Sequence, residues 1–227
     1  MSSATGIGWK PKFAETDIPT LHNFIRDHPL GILITHLPNV DGSPELQATH
    51  IPFYLSVPEQ PTSSSSSSSN GALQLALLIL HHPSFYTTTK PLTGKVVPTW
   101  FFTAAQTYGV LTLHHDPLSP TTSTFLTQQT AELTAHGEQH LLGSDAATAW
   151  KTTDAPAPFT AQLSRAIVGI EIRVQRLEGK VKMGQEVAAG DQLGCVRGLR
   201  AMGMEVGERL AREIEACARA PFSCCRV

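Results

Sequence analysis

The chain is poor in charge and shows no excess of one sign: 16% of its 227 residues are charged, and the formal net charge is −2. Nucleic-acid binders carry a basic patch or stripe that neutralises phosphates, so this balance argues against a DNA or RNA reader. Cysteine is scarce as well. Cys195, Cys217, Cys224 and Cys225 all fall in the last third and form no C-x-x-C pair. That distribution offers neither a disulfide framework nor a zinc site, and it reads as reduced thiols in a cytoplasmic protein. No apolar run is long enough to span a bilayer, and "MSSATGIGWKPKF" lacks the apolar stretch of a signal peptide. Walker, G-x-S-x-G and G-x-G-x-x-G motifs are missing, which removes the usual nucleotide and hydrolase signatures.

What remains is enough apolar material for a substantial core, 41% of the residues. Residues 1–200 read as one domain, and 201–227 as a C-terminal helix and tail. In "ETDIPTLHNFIRDHP", Thr16 or Asp17 can cap a helix with Pro19 in its first turn. Ile18, Leu21, Phe24 and Ile25 then share a face. "LGILITHL" and "ALQLALLIL" read as core strands. "ELQATHIPFYLS" reads as a strand whose Pro52 places it at an edge or a bulge. The seven serines Ser63–Ser69 cannot bury apolar surface, so residues 58–71 are expected to be a flexible hairpin insertion. "TGKVVPTWFFTAAQ" and "TYGVLTLHH" read as a fourth and a fifth strand. "TTSTFLTQQTAELTAHGEQHL" and "APAPFTAQLSRA" read as helices. In "IVGIEIRVQRLEGKVKM", Ile170, Ile172 and Val174 alternate with Glu171, Arg173 and Gln175, a strand pattern. Val206, Leu210, Ile214 and Cys217 mark one face of a final amphipathic helix. Several antiparallel strands with peripheral helices predict an α+β protein built around a barrel or curled sheet.

"KPKFAETDIPTLHNFIRDHPLGILIT", "ATHIPFYL", "KVVPTWFFTAAQTYG" and the block from "LTAHGEQHL" to "KVKMGQE" follow one another in the order found in PaiB-type proteins, and the chain resembles that family. The resemblance implies an antiparallel split β-barrel with peripheral helices, a homodimer, and an FMN pocket at the dimer interface. It also implies a negative transcriptional regulator. It departs from the family pattern at several points. The Gly-His-…-Arg-…-Asn-Pro segment ahead of the fourth strand is missing. Phe101 and Phe102 stand where the family has Asn and Tyr, and Gly184-Gln185-Glu186 stands in place of Ser-Gln-Asn. Losing hydroxyl and amide donors and gaining a carboxylate predicts weaker binding of a flavin phosphate.

The candidate cofactor-binding residues are accordingly Lys95, Trp100, Phe101, Lys180, Lys182 and Gln185. On a strand Trp100, Phe101 and Phe102 must divide between two faces, so only part of the trio can line a pocket. Lys180 and Lys182 share a strand face, where they form either an anion site with Gln185 or a solvated turn. His50, His82 and Tyr86 are the acid–base candidates, with His114 or His115 as a further one. His136 and His140 have the spacing for a shared metal on a helix, but Gly137 weakens that helix and no third ligand is identifiable, so no metal site is expected.

Three functions fit these residues. The first is a ligand-binding split-barrel regulator that takes FMN or another flat or apolar small molecule. The second is a flavin-independent enzyme, with no cofactor, that isomerises or cyclises an apolar metabolite. The third is an FMN-dependent oxidoreductase. A homodimer and a small-molecule ligand are the expected partners; a membrane and nucleic acid are not.

Overall fold

The computed structural model describes residues 11–36, 46–57, 74–81, 93 and 100–219. In chain order the elements are β1 (Ala14–Glu15), α1 (Ile18–Asp27), β2 (Leu30–His36), β3 (Leu46–Pro52), β4 (Gln74–His81), β5 (Phe102–His114), α2 (Pro120–Ala135), α3 (Ala157–Ser164), β6 (Gly169–Lys182), α4 (Ala189–Ala201) and α5 (Glu205–Arg219). A π-helical turn, His136–Leu141, follows α2 directly. The protein is therefore a mixed α/β molecule. Its sheet runs β1-β6-β5-β4-β2-β3. β1 pairs antiparallel with β6, and β2 pairs antiparallel with both β3 and β4. Among the described residues β1 and β3 are edges, and no pairing closes the sheet into a barrel. The serine run Ser63–Ser69 lies outside the described residues.

Local chemistry accounts for most of these boundaries. Asp17 caps α1: its Oδ2 accepts hydrogen bonds from the Thr20 backbone N–H (2.9 Å) and the Thr20 hydroxyl (2.6 Å). Those two bonds, the hydroxyl first, hold the Asp17 carboxyl below its ordinary pKa. A lowered folded-state pKa contributes stability above the unfolded-state value and loses it as pH falls through the folded value. Asp17→Ala should therefore melt a few degrees below the parent at pH 7, and the gap should narrow as pH falls towards 2.5. Melting curves across that range check this, and an unchanged gap at acid pH would contradict it. At the other end of this segment Pro52 is the last residue of β3, an edge strand that needs no donor from it.

Two readings change. The described parts of the stretches expected to be separate fourth and fifth strands form, from Phe102 onward, the single strand β5. No turn chemistry interrupts Gln106–Gly109. Gly109 instead serves close approach, since a Cβ there would fall on the Arg173 carbonyl oxygen of β6. Secondly, α4 was not legible. Its "AGDQLGCVRGLRA" carries Gly190, Gly194 and Gly198, which lower helix propensity, and packing supplies what propensity does not.

The chain divides into two compact units: Met1–Leu21, Leu80–Gln106 and Glu178–Val227 form one, and His22–Ile79 with Thr107–Leu177 the other. The core of the first unit joins Phe101 and Met183 to Cys195, Val196 and Leu199 of α4 and Leu210, Ala211 and Ile214 of α5. Val181, Val206 and Cys217 pack against it. Fully burying each Leu or Ile stabilises by about 1.5–3 kcal/mol. The helices approach closely at Gly207, where a Cβ would stand 2.5 Å from the Leu199 carbonyl oxygen. Burial, helped by Glu213 and Glu15, pushes the Cys217 thiol up to about 12, and the side chain packs as a thiol against the core. In the second unit Ile25, Leu33, Leu126 and Ala149 are buried.

Candidate functional site

The candidate site lies at the C-terminal end of β6, in the first unit. Strand alternation sends Val181 and Met183 into the α4–α5 core and turns Lys180 and Lys182 to the opposite face. The same rule divides the neighbouring aromatics. Phe101 is 4% exposed and belongs to the core, whereas Phe102 is half-buried and carries the Lys180 ammonium 5.3 Å from its ring centroid. That distance is within cation–π range. Trp100, 60% exposed, precedes them. A flat ring, two cations and a half-buried setting are thus assembled on one short piece of sheet.

β6 ends in a turn at Gly184, whose φ of 80° favours glycine. A Cβ at Gly184 would also stand 3.4 Å from the Phe101 ring, so two of the positions that depart from the family pattern are neighbours in space. Gln185 folds back on its own turn. Its Oε1 accepts from the Met183 backbone N–H (2.7 Å), and its Nε2 donates to the Val181 carbonyl (2.8 Å). Glu186 is exposed, and Glu178 lies one alternation before Lys180 on the same strand face. Two ammonium groups, those of Lys180 and Lys182, thus stand on one strand face with Glu178, and the Gln185 amide is already engaged by the backbone.

One contact here had no signal in the sequence. Asp191, buried in the first turn of α4, accepts from the Thr93 backbone N–H (3.2 Å) and hydroxyl (2.7 Å). These residues are separated by 98 positions, and the helix that presents Asp191 was itself unread.

Of the cofactor-binding candidates, Lys95 lies outside the described residues. The acid–base candidates are distributed differently. His82 and Tyr86 also lie outside the described residues, and His50 is exposed on β3 in the second unit. Also in that unit, His114 Nε2 lies 3.2 Å from the Glu171 carboxylate, and its ring stacks on Phe125 at 3.8 Å. The His136 Nε2–H donates to the Arg26 carbonyl (2.8 Å), and the His140 Nε2–H to Asp27 (2.7 Å). The two rings stack 4.8 Å apart and fasten the π-turn to the end of α1. Among the described residues no three His, Cys, Asp or Glu side chains converge as a metal site. No helix among them is long and apolar enough to cross a membrane.

Fold and site together define a mixed α/β protein with an antiparallel sheet and a cationic, aromatic strand face. The chain belongs to the family described as "Putative FMN-binding domain", which it matches over residues 9–77 and 80–176. The matched span stops before Lys180. An uncharacterised protein of Aspergillus fumigatus is 37% identical over 246 residues, covering 89% of this chain and 94% of the relative. An uncharacterised protein of Emericella nidulans is 37% identical over 234 residues, covering 87% and 92%. Among solved structures, a conserved hypothetical protein from Mycobacterium tuberculosis aligns with a TM-score of 0.41 at 12% identity, covering 83% of this chain and 93% of the other. An FAD and haem binding protein from Mycobacterium smegmatis aligns with a TM-score of 0.42 at 11% identity, covering 79% and 78%.

Proposed function

We propose that this chain is a flavin-binding protein of the split-barrel type, a homodimer that acts as a ligand-binding regulator. Membership of the FMN-binding family carries the reading. The β6 end supports it with a donor set suited to a phosphate beside a planar group. Lys180 and Lys182 would hold the phosphate of FMN, and Phe102 would border the site with Trp100 at its edge. When bound, FMN supplies electron-transfer chemistry; the chain's part is to bind and orient it. The dimer is supported by β6, where residues 173–176 are exposed on both strand faces, and by the exposed apolar side chains of Phe159 and Leu163 on α3. Light scattering at micromolar concentration should report twice the chain mass, and a stable monomer would remove the interface from the proposal.

The test of the ligand is fluorescence titration of purified protein with FMN. Binding weaker than submicromolar is expected, because the turn after β6 offers charge without added hydroxyl or amide donors. Charge-assisted bonds contribute about 1.5–3 kcal/mol each, less when solvent screens them. The Lys180→Ala, Lys182→Ala double variant should therefore bind about tenfold to a hundredfold more weakly. Equal binding by parent and double variant would move the phosphate elsewhere. If the parent binds no FMN at all, the reading fails. A colourless protein that retains a different bound molecule would then favour the flavin-independent enzyme.

A further inference from the structure

Gln185 stands beside the two lysines and, as an amide, is the natural third ligand for an anion there. Its geometry gives it another task. Met183 and Val181 are alternate residues of β6 and its turn, so the N–H of one and the C=O of the other point to the same strand edge. Gln185 satisfies both, at 2.7 and 2.8 Å, with the two ends of one carboxamide. A side chain used in this way imitates a neighbouring strand: it supplies an acceptor and a donor where the ladder would otherwise end. Swinging the amide outward to meet a ligand would open both bonds and leave a half-buried backbone N–H and C=O without this partner. Lys180 and Lys182 flank the very residue, Val181, whose carbonyl is clamped.

We propose that Gln185 is a positioning residue. It locks the end of β6 so that Lys180 and Lys182 stay on one strand face, and the ligand's anionic end is read there by charge. This rests on the flavin-site reading above and deepens it. The ligand class is a planar molecule carrying a phosphate dianion, selected over its uncharged counterpart. Glu178, on the same strand face, lowers the local positive charge, so Glu178→Gln should raise affinity for the anion.

The experiment is a double-variant cycle on the full chain, with FMN, riboflavin and inorganic phosphate as probes. The parent should bind FMN more tightly than riboflavin, and added salt should shrink that preference, because exposed charges are screened within about 8 Å at physiological ionic strength. Gln185→Met, close in shape but unable to make either bond, should weaken FMN binding by about tenfold, the upper end for one net hydrogen bond. In the Lys180→Gln, Lys182→Gln background the same change should alter FMN affinity less than twofold, because a positioning residue has nothing left to position. A tenfold loss in both backgrounds would make Gln185 a direct ligand and overturn the proposal.

Hydrogen exchange at the Met183 amide gives a readout that needs no variant. Saturating phosphate should leave its protection unchanged or raise it. A fall would show Gln185 leaving its turn for the anion, and would overturn the proposal even if Gln185→Met does not fold. The two readings fail separately. FMN binding that none of these substitutions alters leaves the flavin reading standing and sinks this one. No FMN binding, together with a melting temperature that phosphate raises through the lysines, sinks the flavin reading and leaves Met183 exchange to decide. Response to neither probe sinks both.

Discussion

Phe101→Ala will lower the melting temperature by roughly 6–20 °C, taking about 3–5 kcal/mol for a buried Phe truncation and about 2–4 °C per kcal/mol at this chain length. The ring packs in one core with Met183 and the buried faces of α4 and α5. On its other side a Cβ at Gly184 would meet the ring at 3.4 Å, an ordinary packing distance. Phe101→Asn should cost at least as much, because it adds a buried amide to the lost volume. Thermal denaturation followed by circular dichroism measures both. If Phe101 lined a ligand pocket instead, its truncation would leave melting within a degree or two and change flavin affinity. That outcome would remove it from the core.

Gly109→Ala should be the most damaging small substitution in the second unit. The new methyl would be driven into the Arg173 carbonyl of the adjacent strand, and beside it stands the Ile172 side chain. Overpacking a flexible neighbour costs about 1–3 kcal/mol, and here the obstacle is backbone, so the upper part of that range or more applies. A fall of roughly 6 °C or more is expected from about 3 kcal/mol at 2–4 °C each. Gly137→Ala is the matched control. Nothing stands within 4 Å of its Cβ, and a helical glycine replaced by alanine gains up to about 1 kcal/mol. If Gly109→Ala melts like Gly137→Ala, β5 and β6 are not in the close contact described.

The elements that showed plainly in the sequence were those whose cause is local. Asp17 three residues before Thr20, alternation through Ile170 and Ile172, and the 206–210–214–217 face of α5 each rest on neighbours within one or two turns. Alternation also required Phe101 and Phe102 to part. Which of them entered the core depended on α4, a helix whose three glycines hid it. Gln185 shows a different limit. Its place in a family motif points to a ligand, yet the partners that engage it are backbone groups, which every residue carries and no sequence pattern marks. The Thr93–Asp191 tie joins segments 98 positions apart and had no local trace at all.

Phe101 and Phe102 are consecutive, one ring inside the core and the next beneath Lys180. A shift of one residue in the register of β5 would exchange them, because side chains alternate with a period of two. Interior and the Lys180-bearing face are thus a single inherited unit. Lineages can change the chemistry of the face by substitution, residue for residue, but an insertion or deletion that moves this strand alters both at once. Over evolutionary time the length of the chain around β5 should vary less than its side chains do.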